Sequence, residues 1–385
     1  MPVTDPVTDP VTGADAFNPA ERIAANLRAR IAAQGPLPVS VFMMEALFDP
    51  MAGFYATRDP IGAGADFVTA PEISQMFGEL LGLWAAQVWQ DMGSPQSCVL
   101  AELGPGKGTM MSDMLRAARA VPGFADALKV SLVEASAALK MVQGRTLARA
   151  GVPVGWAKSL EALPAGPAII FGNEFLDCLP VRQAVRVDGQ WRERCVSLHP
   201  EDESRFAFVT GPVIADDDLF IPERLRGSPD GTLAELRPGD MQVAEALAAR
   251  FAAHPGYALF IDYGPAISEP GDTLQAIRAH RKVHPLDAPG SADITARVDF
   301  EMLARHAKAA GLAVYGPAEQ GAFLTGLGIG QRASALAAAQ PEHSEVIARQ
   351  LARLTSPDEM GTLFKVMAFS APDMPVPPGL APFAG

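Results

Sequence analysis

Residues 99–109 read Val-Leu-Ala-Glu-Leu-Gly-Pro-Gly-Lys-Gly-Thr: an apolar run, broken by one acid, that leads into glycines at alternate positions. Apolar residues just before Gly-x-Gly-x-Gly predict a buried parallel strand whose carboxyl end turns tightly into a helix. In an open α/β sheet, that is where nucleotide-like ligands bind. Gly104 and Gly106 let the backbone approach a ligand closely, because no Cβ stands in the way and positive φ costs glycine little. The details narrow the ligand. A phosphate-cradling loop needs Gly-Lys-Ser/Thr, whereas Lys107 is followed by Gly108. A dinucleotide turn reads Gly-x-Gly-x-x-Gly, and here the third glycine arrives one residue early.

What this spacing leaves is the loop of class I methyltransferases, which faces the amino acid part of S-adenosylmethionine (SAM) and needs no phosphate site. The next apolar run, residues 130–133, ends in Glu134. An acid at a strand's carboxyl end can accept hydrogen bonds from both hydroxyls of a cofactor ribose, a geometry that serves SAM and NAD equally. A third run, 168–171, leads into Gly-Asn-Glu-Phe-Leu-Asp-Cys-Leu-Pro. Asn173, Glu174 and Asp177 are thereby expected in the carboxyl-end crevice, facing ligand or substrate. A further apolar strand at 258–261 ends in Asp262, Tyr263 and Gly264.

Charge and cysteine usage exclude several classes. A formal net charge of −13 opposes strong sequence-independent binding to nucleic acid, which relies on clustered Lys and Arg. No stretch approaches the roughly 18 apolar residues of a membrane span, so a soluble protein is expected. Three cysteines without a C-x-x-C pair give no disulfide framework, and Cys98 reads as a small core residue in a reducing compartment. His280 and His284 stand four apart, but Arg278, Arg281 and Lys282 surround them and Pro285 breaks any helix there. No metal site is expected.

Residues 1–17 repeat Val-Thr-Asp-Pro and are Pro-rich and acidic, the composition of a disordered tail with neither a transit peptide nor a secretory signal. Asn18-Pro19-Ala20-Glu21 then reads as a helix start, with Ile23, Leu27 and Ile31 as a core-facing stripe through about residue 33. Residues 18–92 are expected to form a helical region packing on the core, with helices over 39–47 and from near Pro71. The small-residue loop at 62–68 leads into that second helix at Thr69-Ala70-Pro71-Glu72. Its amino terminus can present N–H groups to the methionine carboxylate of SAM, and it equally reads as an ordinary Pro-initiated helix capped by Thr69. The core is expected at 93–180 and 257–370, a β-rich insertion with an Asp188-Gly189 hairpin and a helix over about 240–254 at 181–256, and a tail at 371–385. Strands alternating with helices imply a mostly parallel sheet.

Four segments together resemble the MidA-like SAM-dependent methyltransferases: 66–79 (Asp-Phe-x-Thr-x-Pro-Glu-Ile-Ser-Gln-x-Phe-Gly-Glu), 102–109, Asn173-Glu-Phe-Leu-Asp177 and Asp293-Ile-Thr295. The resemblance runs over about 36–370, and the first and third segments are more specific than the glycine loop. It implies the Rossmann-like, seven-stranded class I methyltransferase fold and a SAM role for Glu102, Gly104, Gly106, Gly108 and Glu134. Asn173, Thr69 and Glu72 join that expected cofactor set. It further implies ω-N-methylation of an arginine on a protein substrate, such as a complex I core subunit, as in the mitochondrial complex I assembly members. The tail and the Ala-, Gly-, Pro- and Arg-rich composition suggest a cytoplasmic bacterial member.

Arginine sets a chemical requirement. Its guanidinium has a pKa above about 12, so a proton must leave as the methyl arrives, and carboxylates can hold the fork and accept that proton. Glu174 and Asp177 are the first candidates, with Asp262 and Glu72 behind them; Glu174 equally suits a cofactor contact or a helix cap. Other readings are a SAM-binding assembly chaperone, a methyltransferase acting on a small molecule or RNA, and an NAD-dependent oxidoreductase. The intact loop opposes the first, the acidity and large insertions oppose the second, and glycine spacing opposes the third.

Overall fold

The structure is a computed structural model that describes residues 18–57, 69–215, 218 and 220–384. The expected tail at 1–17 and the loop at 62–68 with Asp66 and Phe67 lie outside the described residues.

Seven strands form the central sheet: β1 (Cys98–Leu103), β2 (Leu128–Val133), β3 (Val154–Ala157), β4 (Ala168–Asn173), β5 (Gly256–Tyr263), β6 (Ala313–Glu319) and β7 (Phe364–Ser370). Their spatial order is β3-β2-β1-β4-β5-β7-β6. Every pairing is parallel except those of β7, which runs antiparallel between β5 and β6. This is the seven-stranded sheet of class I methyltransferases. The chain leaves β1 toward β2 and β3, then returns to place β4 on β1's other side, so a crevice opens at the carboxyl ends of β1 and β4.

Period-two alternation gives the sheet two apolar faces. Cys98 and Leu100 of β1 join Ile169, Phe171, Leu259 and Ile261 under one helical layer, while Val99, Ala101 and Leu103 join Ile170, Ala258 and Phe260 under the other. The run at 99–103 is apolar on both faces because both faces are covered. β3 is absent from the sequence reading because Val-Gly-Trp-Ala has no buried apolar run. It is the edge strand, with Trp156 40% exposed.

The N-terminal region and the surroundings of the glycine turn include the helices α1 (Pro19–Gln34), α2 (Val39–Phe48), α3 (Ala70–Ile73), α4 (Gln75–Asp91), α5 (Thr109–Ala118) and α6 (Ala137–Thr146). Asn18 caps α1 by accepting from the Ala20 and Glu21 N–H groups, and Ile23, Leu27 and Ile31 are buried. The segment 18–92, expected to pack on the core as one region, divides. α3 and α4 pack on the central sheet; α1 and α2 bury Ile23, Leu27 and Phe42 with Val181, Val196 and Ile294 of the insertions. Leu37–Pro38 adds a strand there by pairing with Val196 and Cys195.

The insertion after β4 is an antiparallel sheet in which Arg182–Val187 pairs with Gln190–His199 through Asp188 and Gly189, both at positive φ. Its helix is Pro238–Ala253. Residues 275–295 form a second small antiparallel sheet, in which Gln275 faces Thr295 and Ile277 faces Asp293. The Arg/His-rich segment is the turn and outer strand of this sheet, with Ala279 and His280 at positive φ. Among the described residues no group of acids, histidines and cysteines could hold a metal ion, and no helix is long and apolar enough to cross a membrane.

Candidate active site

A cavity of about 670 Å³ opens over the carboxyl ends of β1, β2, β4 and β5, within the size range of sites for small molecules and cofactors. Gly104, Gly106, Glu134, Thr69, Glu174 and Asp177 from the expected set line it. Gly108, Glu102, Asn173, Glu72 and Asp262 do not.

The glycine turn occupies one end. Gly104 and Gly106 hold φ of +63° and +52°, and the Gly104 N–H donates to the Val133 carbonyl at 3.1 Å, tying the turn to β2. A Cβ added at Gly104 would meet only the Phe175 ring, at 3.3 Å, so its outer side is open. Gly108, at φ +79°, is the residue before α5 and faces Gln143 of α6 rather than the cavity. Its glycine serves the turn's conformation.

Glu134 accepts the Ser136 N–H through Oε1 at 2.7 Å and the Gln143 amide through Oε2 at 3.0 Å. A carboxylate has about four lone-pair sites, so both oxygens retain capacity toward the cavity. Burial raises the Glu134 carboxyl above its ordinary range, against the opposing hydrogen bonds from Ser136, Gln143 and Ala135. An open glycine turn beside a fixed strand-end carboxylate fits the amino acid and ribose parts of SAM.

Strand parity explains Glu102. It shares a face with Cys98 and Leu100, so its carboxylate turns under α5 instead of into the cavity. There it accepts the Met111 N–H, Oε2 has no hydrogen-bond partner, and burial pushes the group up to about 8. Glu72 also has another task, accepting the Thr109 hydroxyl at 2.6 Å and joining α3 to the start of α5.

The helix expected from Pro71 is interrupted. Ser74 is extended at φ −158° and caps α4 through the Met76 N–H, leaving α3 four residues long. Of the two readings left open for this helix start, a site for a cofactor carboxylate and an ordinary Pro-initiated helix, the first loses one donor: the Ala70 N–H donates to Glu174 Oε1 at 3.1 Å.

Next to the turn, across the β1–β4 pairing in which Leu103 faces Gly172, the cavity wall is acidic. Glu174, Asp177 and Asp293 line it with Tyr55, Tyr263 and Thr295. Glu174 sits at φ +49°, an uncommon conformation for a non-glycine residue. Its N–H is held by the Ile261 carbonyl at 2.9 Å, and its carboxylate also accepts the Asn173 amide at 3.1 Å. Burial, with a smaller contribution from Asp262, pushes the Glu174 carboxyl up to about 7. Asp177 is raised well above the carboxylate range, first by burial and then by Asp262, Asp293 and Glu174. Asp262, expected to act chemically, accepts the N–H groups of Leu176, Asp177 and Tyr263. It fixes the turn that carries Asp177.

Two tyrosines complete this wall. Tyr55 donates to Asp293 Oδ1 at 2.7 Å, and Tyr263 donates to Thr295 Oγ1 at 2.7 Å while accepting the Gln275 amide at 3.1 Å. Asp293-Ile-Thr295 is part of the family resemblance, but no local pattern gives it a geometric role, and nothing local marks Tyr55. Both reach the site because the small sheet at 275–295 and the N-terminal segment pack together in one apolar cluster.

Residues 80–318 match a family of S-adenosyl-L-methionine-dependent methyltransferases. The chain is 36% identical over 375 residues to the mitochondrial protein arginine methyltransferase NDUFAF7 homolog of Drosophila melanogaster, spanning 90% of this chain and 84% of that one. It is 33% identical over 379 residues to the mitochondrial protein arginine methyltransferase NDUFAF7 of Homo sapiens, spanning 92% and 84%. Among solved structures, a COG1565 superfamily member from Burkholderia thailandensis bound to S-adenosyl-homocysteine superposes with a TM-score of 0.83 at 30% identity, over 97% of both chains.

Proposed function

This chain belongs to that family of SAM-dependent methyltransferases, and from that premise we propose that it methylates the guanidinium of an arginine in a protein substrate. The relatives' arginine activity supports the acceptor class. The observation that carries the reading is the cluster of Glu174, Asp177 and Asp293 in the wall of the cavity. Burial holds Glu174 and Asp177 far above the usual carboxylate range. A guanidinium docked among them compensates their charge and is gripped bidentately.

Gly104, Gly106 and Glu134 would hold the cofactor, which when bound supplies an activated methyl group. The chain's own task is orientation, proton transfer and exclusion of water. Asp177, strapped by Asp262 at its N–H and by the Ala296 N–H at its carbonyl, has the fixed backbone a guanidinium clamp needs. Glu174, held near neutrality, suits the base that accepts the proton the guanidinium must lose. A respiratory complex I-type subunit, which the sequence resemblance implies, is the first acceptor to try.

Incubating the protein with methyl-labelled SAM and a lysate of cells lacking it, then digesting the labelled band to amino acids, tests the reading. Methylarginine is expected; label on lysine, on RNA or on a small molecule overturns it.

A further inference from the structure

Behind the cofactor end of the cavity lies a side chain that the mechanism above does not use. Gln143 of α6 is fully buried and does not line the cavity. Its Nε2 donates to the Gly106 carbonyl at 2.8 Å and to Glu134 Oε2 at 3.0 Å, while its Oε1 accepts the Trp156 indole N–H at 2.8 Å. The indole nitrogen can only donate, so it fixes which end of the amide faces it. Both Nε2 hydrogens then point at the cofactor-binding residues.

We propose that Gln143 is a positioning residue for the cofactor, locking the glycine turn to Glu134, and that Trp156 sets the orientation of its amide. The inference rests on the cofactor occupying the Gly104–Gly106 and Glu134 end of the cavity. The turn and Glu134 come from different strands, β1 and β2. A cofactor must be met by both at once, and an amide bonded to each fixes their separation before binding. Sequence reasoning passes over Gln143 because a lone polar residue inside a helix carries no motif.

The test uses S-adenosyl-homocysteine, calorimetry and the full chain. Gln143→Leu is expected to weaken binding by about tenfold or more, the scale of losing a hydrogen bond to a charged group. Trp156→Phe keeps a ring but frees the amide to turn, and is expected to weaken binding roughly threefold to tenfold without lowering the melting temperature much. A pH series separates positioning from mere packing. The Gln143 N–H favours ionised Glu134, so its loss should move the acid limb of binding upward by about half a unit or more. Lys140 on α6, beside Glu134, and Lys158 and Glu161 of the cavity lining are unchanged by either substitution. If the wild type does not bind, or Glu134→Ala binds as well as the wild type, the cofactor placement itself fails. If both behave as expected but Gln143→Leu binds normally, or its affinity falls equally at every pH, this inference alone is overturned. Should Gln143→Leu fail to fold, an unaltered affinity in Trp156→Phe overturns it.

Discussion

Asp262 Oδ2 accepts the Asp177 N–H at 3.1 Å and the neighbouring Leu176 N–H at 2.9 Å, while Oδ1 takes the Tyr263 N–H at 2.9 Å. One buried carboxylate thus joins the end of β5 to the turn after β4. Asp262→Asn offers one accepting oxygen where two are needed, and it turns an NH2 toward a backbone N–H. The variant is expected to lose about 1–3 kcal/mol of stability, the cost of an unsatisfied buried group. Denaturant unfolding measures it. An unchanged midpoint would mean that the turn does not depend on this carboxylate.

Gly104→Val tests the glycine turn. The φ of +63° strains a β-branched residue, and the new Cβ would press on the Phe175 ring at 3.3 Å. Strain of about 1–2 kcal/mol is expected, together with loss of S-adenosyl-homocysteine binding. A folded variant with normal affinity would remove this turn from the cofactor site.

Glu134→Ala should weaken S-adenosyl-homocysteine by roughly 1.5–3 kcal/mol, the scale of hydrogen bonds to a charged group. Calorimetry on the purified variant reads this directly. Unchanged affinity would reduce Glu134 to a strut for Ser136 and Gln143.

The features legible in the sequence were local ones. The glycine turn, the acid after β2 and the polar run after β4 each declare themselves within about ten residues, because a strand, a turn and a helix start are consecutive in the chain. Asp293 and Tyr55 reach the same cavity from 238 positions apart, through packing between two small sheets and the N-terminal helices. No local pattern encodes that meeting. Glu102 shows a second limit. A strand covered on both faces is apolar throughout, so its residues do not reveal which side an acid will face, and here the pleat turns it under α5. The insertion hairpin was legible for the opposite reason: Asp188-Gly189 supplies positive φ at both central positions of its turn.

Glu102 gives a pH prediction with a definite sign. Unfolded, it ionises near 4.3; folded, burial holds its proton up to about 8. The stability it contributes is therefore complete below its unfolded value and is lost as pH rises through about 8. Glu102→Gln keeps an oxygen for the Met111 N–H but cannot ionise. The wild type's melting temperature should fall relative to the variant's as pH is raised from about 5 to 9. Parallel profiles would contradict a protonated Glu102.

The acidic wall of the cavity is tested by the amides. Glu174→Gln keeps an oxygen for the Ala70 N–H, and Asp177→Asn leaves its backbone strap to Asp262 in place, so both variants should fold and retain S-adenosyl-homocysteine. Without charge to grip a guanidinium or accept its proton, methyl transfer should fall by about two or more orders of magnitude. The pH profile distinguishes the two acids. Burial places the Glu174 carboxyl at about 7, so before an acceptor is bound it loses its proton as pH rises through that value. The wild type's acceptor-limited rate should climb over the same range, and Glu174→Gln should abolish that limb, leaving a low and flatter rate. Asp177→Asn should lower the whole profile while keeping its rise. Loss of S-adenosyl-homocysteine binding in either variant would reassign that residue to the cofactor. Full activity in both would mean that the acids meet no acceptor.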